Sequence, residues 1–321
     1  MENPSLINAL EYPGGIVAID TAYTRPQMAC SYLVESDSGV AFIETGTNSG
    51  VPGLLGVLER RGWKPDDVRY VIVTHVHLDH AGAAGTLMRE FPSASFLVHP
   101  RGARHMIDPA RLEASVRGVY GDSAFDEMYG SLVPIDAERV REMNDGDTVM
   151  LGGRELLFRD TAGHARHHFC VWDERTRGWF AGDTFGLSYR EFDTPGGPFI
   201  FPTTTPIEFD PPALKESIRM LLGQAPEWMY LTHYGRVGDV PRLAERLIGG
   251  IDVHVEIAER LEHAENRSAK MRQEMEAWLK SELRDHGVDL PDAELDRLLE
   301  NDLDLNTQGI EVWLDRRRKQ A

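Results

Sequence analysis

The chain is poor in cysteine, and this shortage excludes two classes of protein. Its two cysteines, Cys30 and Cys170, are too few for a disulfide framework among 321 residues. Neither belongs to a CxxC pair, so a dithiol redox motif is excluded as well. Both lie in strand-like segments, where we expect them to be buried as small apolar residues.

Long apolar runs are also missing. No run approaches the ~20 residues that a helix needs to cross a bilayer, so no membrane partner is expected. The first fifteen residues, MENPSLINALEYPGG, lack the basic and apolar regions of a signal peptide. The sequence therefore predicts a cytoplasmic protein.

Basic residues are in short supply relative to acidic ones. The chain has 34 Lys and Arg against 52 Asp and Glu, which gives a formal net charge of −18. Because an acidic surface repels a phosphate backbone, we expect no nucleic-acid partner. The dense basic run RRRK at 316–319 is interpreted instead as a helix end that favours cations.

Short β-patterned segments alternate with helical ones in the first part of the chain. β-Branched and aromatic residues predict the strands, whereas leucines three and four residues apart predict the helices. The run VRYVIVT is continuously apolar, as is typical of a strand buried on both faces. Strands are predicted at 16–20, 29–36, 40–46, 68–74 and 93–100, and helices at 49–63 and 81–91.

The middle of the chain is richer in strand patterns, and its end is helical. Strands are predicted at 147–151, 154–161, 169–173, 178–183 and 227–233, with a helix at 211–224. We expect a catalytic domain over residues 1–240 and a helical C-terminal extension over residues 241–321. The apolar faces of these helices must cover the main domain or a second chain, so a homodimer is one alternative.

The stretch THVHLDHAG at 74–82 places three histidines and an aspartate directly after a predicted strand. Alternate residues of an extended segment project to the same side, so His75 and His77 can bind one metal ion together. Asp79 and His80 follow them and can face a second ion. Ligands usually bind beyond the carboxyl ends of strands in α/β sheets, which places the predicted site here.

Three further candidate ligands follow predicted strands in the same way. Short loops after strands could converge on one rim of a sheet. The candidates occur in TAGHARHH, WFAGDTFG and YLTHYG and are His164, Asp183 and His233.

The combination of HxHxDH, GH, AGD and a strand ending in TH resembles the metallo-β-lactamase fold superfamily over about residues 15–240. The resemblance implies an α/β fold, an αββα four-layer sandwich of two sheets back to back with helices outside. It also implies two groups of metal ligands bridged by Asp183: His75, His77 and His164 for one ion, and Asp79, His80 and His233 for the other.

Two bound cations would activate water at neutral pH and stabilise an oxyanion. We therefore predict a dinuclear metallohydrolase that cleaves a small ester, thioester or lactone by a metal-bridging hydroxide, with Asp79 orienting or shuttling a proton. Zinc is the favoured metal, with iron and manganese open, because His and Asp suit several first-row metals. By resemblance, Asp183 favours the hydroxyacylglutathione hydrolase and lactonase branch over true β-lactamases.

Two other functions stay open. Sulfur dioxygenases of the same branch share HxHxDH and use a single iron. Regulatory proteins of this fold also carry C-terminal helices, and some act largely through protein contacts with little turnover. By resemblance, flavodiiron reductases carry HxExD at the position of the first motif. This chain does not have HxExD there.

A long segment at 186–210, rich in Pro, Gly and aromatic residues, follows Asp183. Loops of this length in compact domains are usually functional or disordered, and we expect this one to overhang the metals. Tyr189 could donate a hydrogen bond to a substrate oxygen and Arg190 could meet an anionic group, or Tyr189 could pack in the wall. His167 and His168 are either outer partners of a metal ligand or the start of a strand.

Overall fold

The computed structural model describes residues 8–205 and 208–320, and the chain forms two compact units. Unit 1 contains the described residues up to Asp160, with His167–Gly182 and Glu227–Arg236. Unit 2 contains Thr161–Arg166, the described part of Asp183–Pro226, and the described residues from Val237 on. Residues 1–7 of the predicted catalytic domain and residues 206–207 of the predicted loop lie outside the described residues. The predicted boundary at residue 240 stays a prediction.

Unit 1 contains a seven-stranded mixed sheet whose strands follow one another in chain order. The first four are antiparallel neighbours, and the last four pair in parallel. The strands are β1 (Ala9–Tyr12), β2 (Ile16–Asp20), β3 (Cys30–Ser36), β4 (Gly39–Ile43), β5 (Val68–Ile72), β6 (Ser95–Val98) and β7 (Val140–Glu142).

A second, six-stranded sheet has the order β13-β12-β11-β10-β9-β8. Strands β8 to β11 pair in antiparallel fashion, and β11 pairs with β12 in parallel. Its strands are β8 (Thr148–Leu151), β9 (Arg154–Asp160), β10 (Phe169–Asp173), β11 (Gly178–Gly182), β12 (Trp228–Leu231) and β13 (Gly235–Val237).

Alternation along β4 shows how unit 1 is layered. Side chains of successive strand residues point to opposite faces. Val40 and Phe42 belong to an apolar core shared with helix residues such as Leu54. Ala41 and Ile43 belong instead to a core that also holds residues of the second sheet. The two sheets therefore pack face to face, and helices cover the other face of the first sheet.

The helices of unit 1 are short and connect or follow the strands of the first sheet. They are α1 (Val51–Arg60), α2 (Leu78–Ala81), α3 (Ala84–Glu90), α4 (Pro100–Ile107), α5 (Ala110–Tyr120) and α6 (Asp122–Met128). Short 3-10 turns lie at Asn48–Gly50, Pro65–Asp67, Ala137–Arg139 and, in unit 2, Arg190–Phe192.

Unit 2 is built on four helices, α7 (Pro211–Leu222), α8 (Val240–Leu261), α9 (Arg267–Asp285) and α10 (Asp292–Gln320). The apolar stripes expected after residue 240 are buried, for example Leu247 on α8 and Met275 on α9. The predicted fold class, an α/β sandwich with C-terminal helices, is confirmed. Among the described residues, no helix combines the length and apolar character needed to span a bilayer.

Candidate metal centre

The HxHxDH stretch leaves β5 and runs directly into the short helix α2. His77 has an extended backbone and stands at the N-cap position of α2. In the extended stretch before it, the Nε2 atom of His75 lies 2.7 Å from the Nδ1 atom of His77. The two rings thus direct one nitrogen each at the same point, as the i, i+2 spacing predicted. These two nitrogens are the atoms that would hold a shared cation.

Three other predicted ligands form one group within unit 1. Asp79 and His80 lie in α2, and His233 follows the end of β12. The Oδ2 atom of Asp79 is 3.2 Å from Nε2 of His233 and 3.5 Å from Nε2 of His80. One donor atom from each residue lies within 4.8 Å of the others. Both histidines are buried, whereas the Asp79 side chain is 21% exposed.

The orientation of the His233 ring is fixed by a backbone contact. Its Nδ1 atom is 2.7 Å from the carbonyl oxygen of Met28, just before β3. A carbonyl can only accept, so Nδ1 carries the proton and donates it. The lone pair of the neutral ring then lies on Nε2, the atom that faces Asp79. This is the arrangement in which imidazole binds a metal ion.

A buried carboxylate, Glu44, supports His80 from the opposite side. One Glu44 oxygen, Oε1, lies 3.3 Å from Nδ1 of His80 and accepts a 2.5 Å hydrogen bond from the Thr74 hydroxyl. The Thr232 hydroxyl donates to the same oxygen at 3.3 Å. Only 1% of Glu44 is exposed. Glu44 therefore connects the ends of β4, β5 and β12 and directs Nε2 of His80 towards Asp79.

Glu44 and its neighbour Thr45 are site residues that the sequence analysis missed. The backbone N–H and the hydroxyl of Thr45 donate to the carbonyl oxygen of His80 at 2.7 and 2.8 Å. These two residues therefore hold both the ring and the main chain of His80. Glu44 directly follows β4 in the structure, as Asp183 follows β11, but it lies inside the strand predicted at 40–46, so the sequence analysis did not single it out.

His168, one of two histidines with two predicted roles, lies beside His75, and its role towards a metal ligand stays a prediction. It is fully buried, and its ring stacks on that of His75 with centroids 4.8 Å apart. Gly182 at the end of β11 permits this packing. A Cβ at position 182 would lie 2.6 Å from Nε2 of His168 and 2.4 Å from Oγ1 of Thr74, and its φ of +48° also favours glycine.

The two remaining predicted ligands pair within unit 2. Nε2 of His164 lies 3.3 Å from Oδ2 of Asp183, and both side chains are buried. The other ring nitrogen of His164, Nδ1, points to the Thr203 carbonyl oxygen at 3.5 Å. As for His233, the nitrogen that faces the carboxylate is the one left to accept a cation.

Tyr189 and Arg190, the predicted substrate contacts, have partners within unit 2. Tyr189 is fully buried, and its hydroxyl donates to Asp302 Oδ2 at 2.9 Å. Arg190 donates to the Ser188 carbonyl at 2.6 Å and forms an ion pair with Asp193 at 3.2 Å. Their roles towards a substrate stay predictions.

The donor set fits a metal ion on chemical grounds. Imidazoles and carboxylates suit zinc and several other first-row divalent ions, and the rings of His233 and His164 are each oriented by a backbone carbonyl on the other side. The arrangement can therefore bind a cation. Without a cation, burying these imidazoles against a carboxylate costs folding free energy.

A family model described as "Metallo-beta-lactamase superfamily" matches residues 24–233. The metallo-beta-lactamase fold-containing protein ST1585 of Sulfurisphaera tokodaii is 25% identical over 224 residues, which are 68% of this chain and 77% of that protein. A hydroxyacylglutathione hydrolase of Rhodopseudomonas palustris is 27% identical over 48% of this chain and 46% of its own length. The type A flavoprotein fprA of Rhodobacter capsulatus is 28% identical, but this chain covers only 35% of it.

Solved structures agree with the fold. The metallo-beta-lactamase family protein TTHA1429 of Thermus thermophilus has a TM-score of 0.69 at 18% identity, covering 95% of this chain and 94% of that one. The structure of ST1585 has a TM-score of 0.61 at 23% identity, covering 84% and 98%. At such identities the likeness concerns the fold alone.

Proposed function

The chain belongs to the metallo-beta-lactamase superfamily, and from this premise we propose that it is a dinuclear metal-dependent hydrolase of small esters, thioesters or lactones. The observation that carries the proposal is the group formed by Asp79, His80 and His233, in which both imidazoles direct Nε2 at one carboxylate oxygen. A purely structural role would not require Nδ1 of His80 and Nδ1 of His233 each to face an acceptor of its own.

The ligand sets are part of the proposal. One ion would be held by Asp79, His80 and His233. The other would be held by the ring nitrogens of His75, His77 and His164, with Asp183 as the bridging carboxylate. The pairing of His75 with His77 and of His164 with Asp183 supports these assignments.

When bound, the two ions supply an acidified water and positive charge near the reacting carbonyl. The residues of the chain supply orientation. The Met28 carbonyl holds His233 in the tautomer that binds a cation, and Glu44 lies beside Nδ1 of His80. Asp79 is the partly exposed member of its group, so its carboxylate can accept a proton from water or pass one to a leaving group.

The substrate class is proposed on two supports. One is the similarity to a hydroxyacylglutathione hydrolase over about half of each chain. The other is the filled set of seven His and Asp positions. Zinc is the proposed metal, with iron or manganese as alternatives that the same donor atoms would accept.

Metal analysis joined to a substrate panel tests the proposal. We expect the purified chain to carry two divalent ions by mass spectrometry and to hydrolyse some member of a panel of thioesters, lactones and aryl esters. His77→Ala should lose bound metal and turnover together. His263→Ala, which removes an exposed imidazole, is the matched control and should change neither.

The other outcomes identify the other functions. If the purified chain carries a single iron and consumes oxygen, its function is that of a sulfur dioxygenase and not of a hydrolase. Two bound ions without turnover on any panel member would favour a regulatory protein. Hydrolysis that survives in a metal-free preparation would refute the proposed mechanism.

A further inference from the structure

His164, a proposed metal ligand, is held by the segment Thr203–Thr205 of unit 2. Its Nδ1 atom faces the Thr203 carbonyl oxygen at 3.5 Å. The Thr205 hydroxyl donates to the His164 carbonyl at 2.9 Å, and Thr205 is buried. The position of this segment therefore sets both the ring and the main chain of His164.

The segment is in turn held by Asn306, in the C-terminal helix α10. The Asn306 side-chain oxygen accepts from the Thr204 backbone N–H at 2.7 Å, and its NH₂ group donates to the Pro202 carbonyl at 3.1 Å. Asn306 is 2% exposed, so neither backbone group has water as an alternative partner. Only a carboxamide offers an acceptor and a donor in this arrangement.

Close contact between α10 and Thr203–Thr205 places a second, steric constraint on the position of this segment. A Cβ at Gly309, one turn after Asn306, would lie 2.2 Å from Oγ1 of Thr204 and 2.7 Å from the Thr205 carbonyl oxygen. Because real Cβ atoms do not approach so closely, any larger residue at position 309 must displace the segment.

We propose that Asn306 is a positioning residue for the metal ligand His164, acting through Thr203–Thr205. This inference rests on the proposed function, since it assigns His164 to a metal ion. It gives the C-terminal helices a role within their own chain: they fix one metal ligand from about 140 residues further along the sequence.

Zinc binding to the full-length chain tests the inference. Zinc stoichiometry is measured by mass spectrometry after dialysis against a series of zinc buffers, for wild type, Asn306→Asp and Gly309→Ala. Aspartate at 306 keeps the acceptor for Thr204 but loses the donor to Pro202. We expect one of the two ions to bind roughly 10–100-fold more weakly in both variants, the range found when outer partners of metal ligands are removed. The other ion should bind as in wild type.

Two controls separate positioning from general instability. Asn301→Asp makes the same chemical change at an exposed position of α10 and should retain both ions. Leu279→Ala creates a cavity in the buried face of α9, so it lowers the stability of the helices without touching the segment. Urea unfolding of every variant shows how much stability each has lost.

The selectivity for one ion decides the result. Folded Asn306→Asp and Gly309→Ala chains that bind both ions with wild-type affinity would overturn the inference, as would equal weakening of both ions to the extent seen in Leu279→Ala. A wild-type chain that binds no zinc, iron or manganese would overturn the proposed function itself, and this inference with it.

Discussion

His80 in unit 1 and His164 in unit 2 each face a carboxylate, but the groups that support the two rings differ in chemistry. In unit 1, His80 is held by the buried carboxylate of Glu44, which directly follows β4 and also accepts a hydrogen bond from Thr74. In unit 2, His164 is held by an uncharged carbonyl and hydroxyl, which are themselves positioned by the amide of Asn306. His80 is supported by a charged group at the end of a strand. His164 is supported by neutral groups whose positions are set by hydrogen bonds to helix α10.

The difference concerns how firmly each ligand is held. Hydrogen bonds to an ionised group contribute about 1.5–3 kcal/mol, roughly twice the contribution of neutral ones. The His80 support should therefore be harder to disturb from a distance, whereas the His164 support should respond to changes in the C-terminal helices. The following predictions test this contrast, beginning with the largest expected effect.

Removing the charged support should affect both stability and metal binding. Glu44→Ala leaves the Thr74 and Thr232 hydroxyls without their acceptor, so we expect the free energy of unfolding to fall by about 4 kcal/mol. Zinc bound by Asp79, His80 and His233 should weaken roughly 10–100-fold. Urea unfolding and zinc titration measure the two effects, and Glu59→Ala on the exposed side of α1 is the control. A stable variant with unchanged zinc binding would show that the charge behind His80 is dispensable.

A charge should be poorly tolerated on His254, whose Nδ1 atom has no hydrogen-bond partner among the described residues. His254 is buried on α8 with its ring 5.4 Å from that of Trp278, and burial lowers its pKa from 6.5 to about 4. Because the unfolded chain binds this proton more tightly, stability should fall as the pH drops from 6.5 towards 4. The expected loss is up to about 3 kcal/mol.

The variant His254→Gln isolates this effect, because other groups also titrate between pH 7 and pH 4. The fall in unfolding free energy over this interval should be smaller in His254→Gln than in wild type. His263→Gln, an exposed position, should behave as wild type. Equal slopes in all three proteins would contradict the assignment to His254.

The smallest effect is expected from Tyr189→Phe. The hydroxyl of Tyr189 donates to the buried carboxylate of Asp302, and losing this bond should cost about 2 kcal/mol of unfolding free energy. If the hydroxyl serves only this bond, kcat on any active panel substrate should stay within about twofold of wild type. A much larger fall in kcat would support the predicted contact between Tyr189 and substrate. Steady-state kinetics and urea unfolding on the same preparation distinguish the two roles.

Strand and ligand positions were largely predictable, because both depend on local sequence. The strand predicted at 16–20 is β2, and that at 169–173 is β10. Period-two alternation and continuous apolar runs indicate which strand residues are buried. A ligand that directly follows a strand has its position fixed by the end of that strand. The grouping of His233 with Asp79 and His80 came from the resemblance to the superfamily, and the three residues lie together in the structure.

The supporting residues could not be predicted in the same way. Glu44 stands in the ordinary context FIETG, and Asn306 is one polar residue in a helix with many others. What distinguishes them is long-range contact, with Thr232 for Glu44 and with Thr204 for Asn306. The hydrophobic periodicity of a sequence does not indicate which residues form contacts across a hundred or more positions.

The contact between His233 and position 28 has a consequence for how this site can vary. The acceptor is the main-chain oxygen of Met28, which every amino acid carries. Position 28 can therefore exchange its side chain without altering the proton on the imidazole. An insertion or deletion ahead of β3 would shift that oxygen and so disturb the orientation of the His233 ring.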